Sequence, residues 1–132
     1  CYLRLLQDVH RTLKEADHKV MYIMYASDKA SPPAVNDQYR LMRQDGIAMY
    51  QIISDEDFYI MGEFEEYRTM PAKYFTNIVT VLYADKTAQV NGKESRITIQ
   101  KDRPLAEREH KSFQYLWDNG GKPTKTISEE RF

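Results

Sequence analysis

Apolar residues recur every three to four positions from the start of the chain: Leu5, Leu6, Val9, Leu13 and Ala16, with Arg4, Asp8, Arg11 and Lys14 between them. That spacing predicts an amphipathic helix over residues 2–16. Asp17-His18 breaks the pattern. Lys19 to Ala26 (KVMYIMYA) is then continuously apolar and rich in β-formers, which predicts a strand buried on both faces, as in a parallel sheet. Ser27 to Pro33 predicts a loop, since Pro32-Pro33 suits the approach to a helix rather than its interior. Val35, Tyr39 and Met42 predict a second helix over 34–45, and Gly46 suits a left-handed cap at its end. Ile47 to Ile53 predicts a second strand. Strand, helix, strand in this order is a βαβ unit with a parallel pair.

The pattern weakens over 54–76. Ser54-Asp55-Glu56-Asp57 predicts an acidic turn, and Phe58 to Tyr67 a short helix interrupted by Gly62. Asn77 to Tyr83 (NIVTVLY) predicts a strand, Ala84-Asp85-Lys86 a tight turn, and Thr87 to Val90 the next strand. Asn91-Gly92 signals a hairpin into a strand from Ser95 to Gln100. Arg103 to Asp118 predicts a last helix, with Ala106, His110, Phe113 and Trp117 on one stripe, and Asn119-Gly120-Gly121 stops it. The expected class is α/β, with a mixed sheet (a parallel βαβ pair plus an antiparallel meander) covered by helices. The expected organisation is one domain over residues 1–118 and a polar, mobile tail over 119–132.

Composition adds limits. A chain of 132 residues with 42% hydrophobic and 30% charged residues fits one globular domain and excludes wholesale disorder. Lys+Arg number 19 against 20 Asp+Glu, so the net charge of -1 does not describe a polyanion binder. The apolar run Val20 to Ala26 is far short of the roughly 20 residues that span a bilayer. Cys1 is the single cysteine, so no internal disulfide and no Cys-based metal site is expected, and a cytoplasmic, reducing setting is. Helical periodicity begins at once after Cys1, with no initiator Met and no signal-peptide pattern, which leads us to expect a piece of a longer protein.

Candidate chemistry is sparse. His10, His18 and His110 show no metal-ligand spacing; His10 reads as solvated and His110 as packed on its helix stripe. No Gly-rich phosphate loop and no nucleophile elbow occurs. Nothing in the sequence asks for a cofactor or a metal. The ten Tyr and five Phe read first as core, with a Tyr-lined pocket as the alternative.

An ordered series of short motifs carries a resemblance: Tyr67-Arg68-x-x-Pro71, Tyr74-Phe75, the strand Ile78–Tyr83 with the turn Asp85-Lys86, Ile97-Thr98-Ile99, Leu105-Ala106, and Phe113-x-x-Leu116-Trp117. The series resembles the phospholipase D-like domains fused to helix-turn-helix regulators, including the effector domain of TrmB-type transcriptional regulators, and it extends over most of residues 2–118. Active members of the wider superfamily carry His-x-Lys-x4-Asp, in which the His attacks phosphorus and the Lys binds phosphate. Aligning on Asp85-Lys86 puts Asn77, Val79 and Ala84 at those three positions. None matches, so the resemblance implies a scaffold without its catalyst.

The expected function is therefore a non-catalytic sensor or effector domain of a bacterial or archaeal regulator. It binds a small ligand, pairs with a second copy as a homodimer, or both, and DNA is contacted only through an attached helix-turn-helix segment. The alternatives are a pure oligomerisation or protein-interaction domain without ligand, and a phosphodiesterase. Ligands of open α/β sheets favour the crevice beyond the carboxyl ends of the parallel strands. That argument selects Asp28 after the first strand and Asp55 after the second. Tyr67 and Arg68 are candidates for clamping an anionic or hydroxyl-rich group, and Asn77 for a polar contact at the old nucleophile position.

Overall fold

The computed structural model describes residues 2–26, 31–57, 59–129 and 131–132. Helix α1 (Tyr2–Lys14), strand β1 (Val20–Ala26), helix α2 (Pro33–Gln44) and strand β2 (Ala48–Ser54) follow the predicted order. Lys19 ends α1: its Nζ donates to the carbonyls of Leu13, Lys14 and Ala16 at 3.2, 2.6 and 3.0 Å, answering acceptors that a helix end leaves open. Gly46 ends α2 in the left-handed region, with φ 79°. Its N–H reaches the Arg43 carbonyl at 3.0 Å and that of Ile47 the Met42 carbonyl at 3.1 Å, the paired bonds of a Schellman cap.

Beyond β2 the structure departs from expectation. The helix expected between Phe58 and Tyr67 does not form; Phe58 itself lies outside the described residues. Residues 59–62 are irregular, Phe64–Glu66 makes one 3-10 turn, and Tyr67–Met70 forms a strand, β3. β3 pairs in parallel with β2, Gln51 opposite Tyr67 through Ser54 opposite Met70. That ladder is a long-range gain which overrides weak local preference.

Strands β4 (Ile78–Tyr83), β5 (Lys86–Asn91) and β6 (Arg96–Lys101) form the expected antiparallel meander, and helix α3 (Arg103–Asn119) closes the domain. The hairpin at Asn91-Gly92 is longer than a two-residue turn. Asn91 pairs with Arg96, and the left-handed residue is Ser95 (φ 52°), not Gly92.

The sheet has six strands in the order β3-β2-β1-β4-β5-β6. β1 and β2 are parallel and β1 and β4 antiparallel, so the mixed class predicted from sequence is the one observed. One face carries α1 and α2 over a core that includes Leu6, Leu13, Met21, Met42, Met49, Val81 and Tyr83. The other carries α3 over a smaller core of Met24, Ile52, Leu82 and Phe113. A bulge interrupts β1 between Ile23 and Ala26, where Tyr25 has φ 62°. Such a bulge re-aims the side chains that follow it.

Polar bonds lock α1 to the sheet. The Tyr83 hydroxyl, on a fully buried residue, donates to Asp8 Oδ2 at 2.7 Å, and Lys86 Nζ reaches the same oxygen at 3.1 Å. His10, expected to be solvated, is bonded at both ring nitrogens. Nε2 meets Asp45 Oδ2 at 2.6 Å and Nδ1 meets Gln38 Nε2 at 3.0 Å, so it links α1 to α2.

The segment after α3 makes defined contacts. Gly121 forms an antiparallel bridge with Thr69 on the edge strand β3. Thr126 bonds Ile60 twice, and the ring of Phe132 stands edge-on to Tyr39 at 5.2 Å. No helix among the described residues is long and apolar enough to cross a membrane.

Candidate functional site

A cavity of about 260 Å³ lies on the α1/α2 face of the sheet, at the carboxyl ends of the parallel strands. Four strands supply its floor: Ile23 and Ala26 of β1, Gln51 of β2, Val79 of β4 and Val90 of β5. Alternation would put Ile23 and Ala26, three positions apart, on opposite faces; the bulge between them brings both to this one. Tyr67, the first residue of β3, also lines it. Helices add Tyr2 from α1 and Asn36 and Tyr39 from α2, while Tyr59, Met61 and Phe132 close the remaining side.

The polar groups on this wall are neutral. The hydroxyls of Tyr2 and Tyr39 lie 2.8 Å apart in one hydrogen bond. The Tyr67 hydroxyl accepts the Gly62 N–H at 3.2 Å and the Gln51 Nε2–H at 3.4 Å. Gln51 is 6% exposed, a polar side chain held inside an otherwise apolar strand. No described lining residue is charged, and none is His or Cys. The described lining residues offer hydroxyl and amide groups on an apolar floor, a chemistry suited to an uncharged molecule, and among them none neutralises a phosphate.

The residues selected from sequence divide. Asp28 lies outside the described residues. Asp55 follows β2, but its carboxylate accepts the Ala72 N–H at 3.2 Å and so caps the turn after β3. Tyr67 lines the cavity. Arg68, its neighbour, does not: adjacent strand residues point to opposite faces. Arg68 lies on the α3 side, with its guanidinium 4.2 Å from the centre of the Trp117 ring. Its Nη1 donates to the carbonyls of Tyr67 at 2.7 Å and Glu65 at 3.2 Å. Asn77 is exposed at the entry to β4, two residues before Val79, and its carbonyl accepts the Gly92 N–H at 3.4 Å. Of the three positions aligned with His-x-Lys-x4-Asp, Val79 touches the cavity, while Ala84 sits exposed in the β4–β5 turn at the far end of the strand.

Solved structures share this arrangement. A phospholipase D family member, Nuc from Salmonella typhimurium, superposes with a TM-score of 0.61 over 92% of this chain and 91% of its own, at 14% identity. The fold is phospholipase D-like. TrmBL2, described as an archaeal chromatin protein with a novel mode of DNA binding, superposes with a TM-score of 0.55 over 89% of this chain at 9% identity. The chain spans half the length of TrmBL2. Both neighbours agree with the resemblance drawn from the motif series, as a likeness of fold. No family model and no curated protein matches the sequence.

Sequence reasoning passed over Tyr2, Asn36, Tyr39, Gln51, Tyr59 and Phe132. Gln51 had a local signal, a lone amide within MYQIIS, whereas the burial of Asn36 on α2 emerges only from the fold. Phe132 had none. On the α3 face, His110 packs edge-on to Tyr22 at 4.8 Å. Burial, aided by the nearby His18 charge, holds its imidazole below the usual histidine range. No group of three or more metal-ligating side chains occurs among the described residues.

Proposed function

We propose that this domain is a non-catalytic sensor or effector unit of a bacterial or archaeal transcriptional regulator, binding a small uncharged molecule in the cavity between the sheet and α1/α2. One observation carries the reading. At the carboxyl edge of a phospholipase D-like sheet, where the catalytic pattern would bring a Lys, Val79 lines a cavity whose described polar side chains are tyrosine and serine hydroxyls and amides. A site built this way binds rather than hydrolyses. Ligand occupancy biases two arrangements of the domain only by binding one of them more tightly. DNA contact belongs, in this reading, to a helix-turn-helix segment attached to the domain, and the setting is cytoplasmic. The DNA-binding neighbour TrmBL2 supports that association.

Thermal denaturation against a panel of uncharged metabolites tests the reading. A ligand at 100 times its dissociation constant adds about 2.7 kcal/mol. The expected result is a shift that Val79→Trp, which fills the cavity from its floor, abolishes. Stabilisation by anionic phosphodiesters alone, or by nothing in the panel, overturns it.

A second reading, a protein-interaction or dimerisation domain without ligand, has its own support. The α3 face leaves Tyr22, Tyr25, Tyr50, Phe75 and Trp117 only partly covered, and large aromatic surfaces of this kind mark interfaces. A concentration-dependent dimer in sedimentation, with no ligand shift, favours it.

A further inference from the structure

The chain after α3 touches both faces of the sheet. At Gly120 it passes so close to β3 that an added Cβ would stand 2.9 Å from Arg68 Cβ and 3.0 Å from the Thr69 carbonyl oxygen. Gly121 then bridges Thr69, with N–H to carbonyl distances of 2.6 and 2.9 Å. Because β3 is the edge strand, the chain rounds that edge and arrives on the α1/α2 face.

There it is fastened to residues 60 and 61. Thr126 Oγ1 accepts the Ile60 N–H at 3.0 Å and donates to the Ile60 carbonyl at 2.8 Å. Arg131 Nη1 donates to the same carbonyl at 3.2 Å, and the Phe132 N–H to the Met61 carbonyl at 3.0 Å. Ile60 is fully buried, so these bonds answer main-chain groups that water cannot reach. The Phe132 ring is set between Tyr39 and the Arg43 guanidinium, 5.2 and 5.4 Å from its centre. Phe132 is also a wall of the cavity, beside Tyr59 and Met61.

The two sides of the cavity are therefore held differently. The floor is sheet, fixed by ladders on both sides of β1, β2, β4 and β5. The side made by Tyr59, Met61 and Phe132 lies outside any ladder: Thr126, Arg131 and the Phe132 N–H fasten residues 60 and 61, while the Tyr59 and Gly62 N–H groups go to Asp57 and to the Tyr67 hydroxyl. Ile60 and Met61 are buried, whereas Phe132 is only partly so, and its ring can leave without breaking a sheet ladder.

We infer that the described residues between Pro123 and Phe132 form a strap whose Phe132 ring closes the cavity, and that entry of a ligand displaces Phe132 and is felt at α3 through Gly120 and Gly121. The inference rests on the reading of the cavity as a ligand site and adds its control. Tyr39 connects the two: it receives the strap's ring on one side and the Tyr2 hydroxyl on the other.

The test uses the whole chain and the uncharged fluorophore N-phenyl-1-naphthylamine, with hydrogen exchange at the Ile60 amide as a second readout. Phe132→Ala is expected to bind the probe at least tenfold more tightly than the parent and to exchange the Ile60 amide at least tenfold faster. Thr126→Val keeps the ring and removes the fastening, so it moves both readouts in the same direction by less. Val79→Trp is expected to abolish probe binding in every background. The inference fails if Phe132→Ala, with an unchanged circular dichroism spectrum, binds the probe within twofold of the parent. It also fails if binding survives Val79→Trp, because the probe then sits elsewhere. If no metabolite shifts the melting temperature while the probe gain holds, the sensor reading falls and the strap stands.

Discussion

Replacing Asp8 by Ala is expected to destabilise the domain by about 2–3 kcal/mol, more than its position on a surface helix suggests. The carboxylate receives the buried Tyr83 hydroxyl at 2.7 Å, the Lys86 ammonium at 3.1 Å and the Arg11 guanidinium at 2.8 Å. A hydrogen bond to a charged acceptor contributes about 1.5–3 kcal/mol, and a buried donor left unmet costs about as much. The exposed Arg11 pair adds less than about 1 kcal/mol, and alanine's better helix propensity returns about 0.5 kcal/mol. Tyr83→Phe removes the same bond from the other end. The carboxylate then keeps Lys86, Arg11 and water, so the loss is about 1 kcal/mol. The double variant should cost about 1 kcal/mol or more below the sum of the singles.

The pH dependence follows from the same contacts. Burial alone would raise the Asp8 carboxyl, but donation from Tyr83, Lys86 and Arg11 outweighs it and holds the group below the usual carboxylate range. Burial and the Asp8 carboxylate push Tyr83 up, so it remains a donor throughout. A depressed folded pKa means stability that is complete above the unfolded value of about 3.9 and lost as pH falls through the folded one. The deficit of Asp8→Ala should therefore be full at neutral pH and shrink below about pH 4. Urea midpoints at constant slope measure it. Equal, additive losses from Asp8→Ala and Tyr83→Phe, or a deficit unchanged in acid, would refute the reasoning.

Three further outcomes follow. Gly46→Ala should cost about 1–2 kcal/mol in urea, a pure backbone effect, because φ is 79° and no atom lies within 4 Å of an added Cβ. Gly120→Ala has an ordinary φ of −84° but meets Arg68 Cβ and the Leu116 carbonyl at 2.9 Å; overpacking of this kind costs about 1–3 kcal/mol, and free exchange of the Thr69 amide would show that Gly121 has left β3. His110 should titrate below about 6.5 by NMR, since burial, then the His18 charge, depresses it. Its neutral form stabilises above the unfolded value and the effect fades as pH falls, so His110→Phe should flatten the stability profile below about pH 6.5.

The parts of the fold that were legible in the sequence are those that carry their own periodicity. Leu5, Leu6, Val9 and Leu13 mark α1, and the run from Val20 to Ala26 marks a central strand, because burial on one stripe or on both faces leaves a local trace. β3 leaves none. Tyr67 is its one buried residue, and its ladder to β2 joins positions 16 residues apart. The same reason hides the strap: Thr126 and Ile60 are 66 residues apart, and Thr, Lys, Ser and Glu around them read as solvent. Missing β3 also misplaced Arg68. Recognised as a strand, Tyr67-Arg68 would have been read with period two and split between faces. The sequence reads His10 as solvated and Asp8 only as polar, because a helix pattern shows which stripe is apolar, not which polar residues at its margin meet a partner.

Val79 supports the proposed binding role in physical terms, beyond the mismatch to a motif. Its neighbours on the floor are Ile23 and Val90, and no described lining residue carries a carboxylate. A lysine there would place an ammonium among apolar side chains with no counter-ion among the described lining residues, at a cost of several kcal/mol unless it lost its proton. A phosphate-binding site needs the opposite: a charge kept in place by partners whether or not substrate is bound. Here the sheet has been furnished with groups that are satisfied without ligand. The Tyr2 and Tyr39 hydroxyls meet each other, and Tyr67 meets Gly62 and Gln51. An entering molecule must replace neutral bonds of moderate strength, which permits reversible occupancy. In the proposed reading, the phospholipase D-like fold carries a pocket whose described lining is suited to exchange a neutral ligand rather than to stabilise a charged transition state.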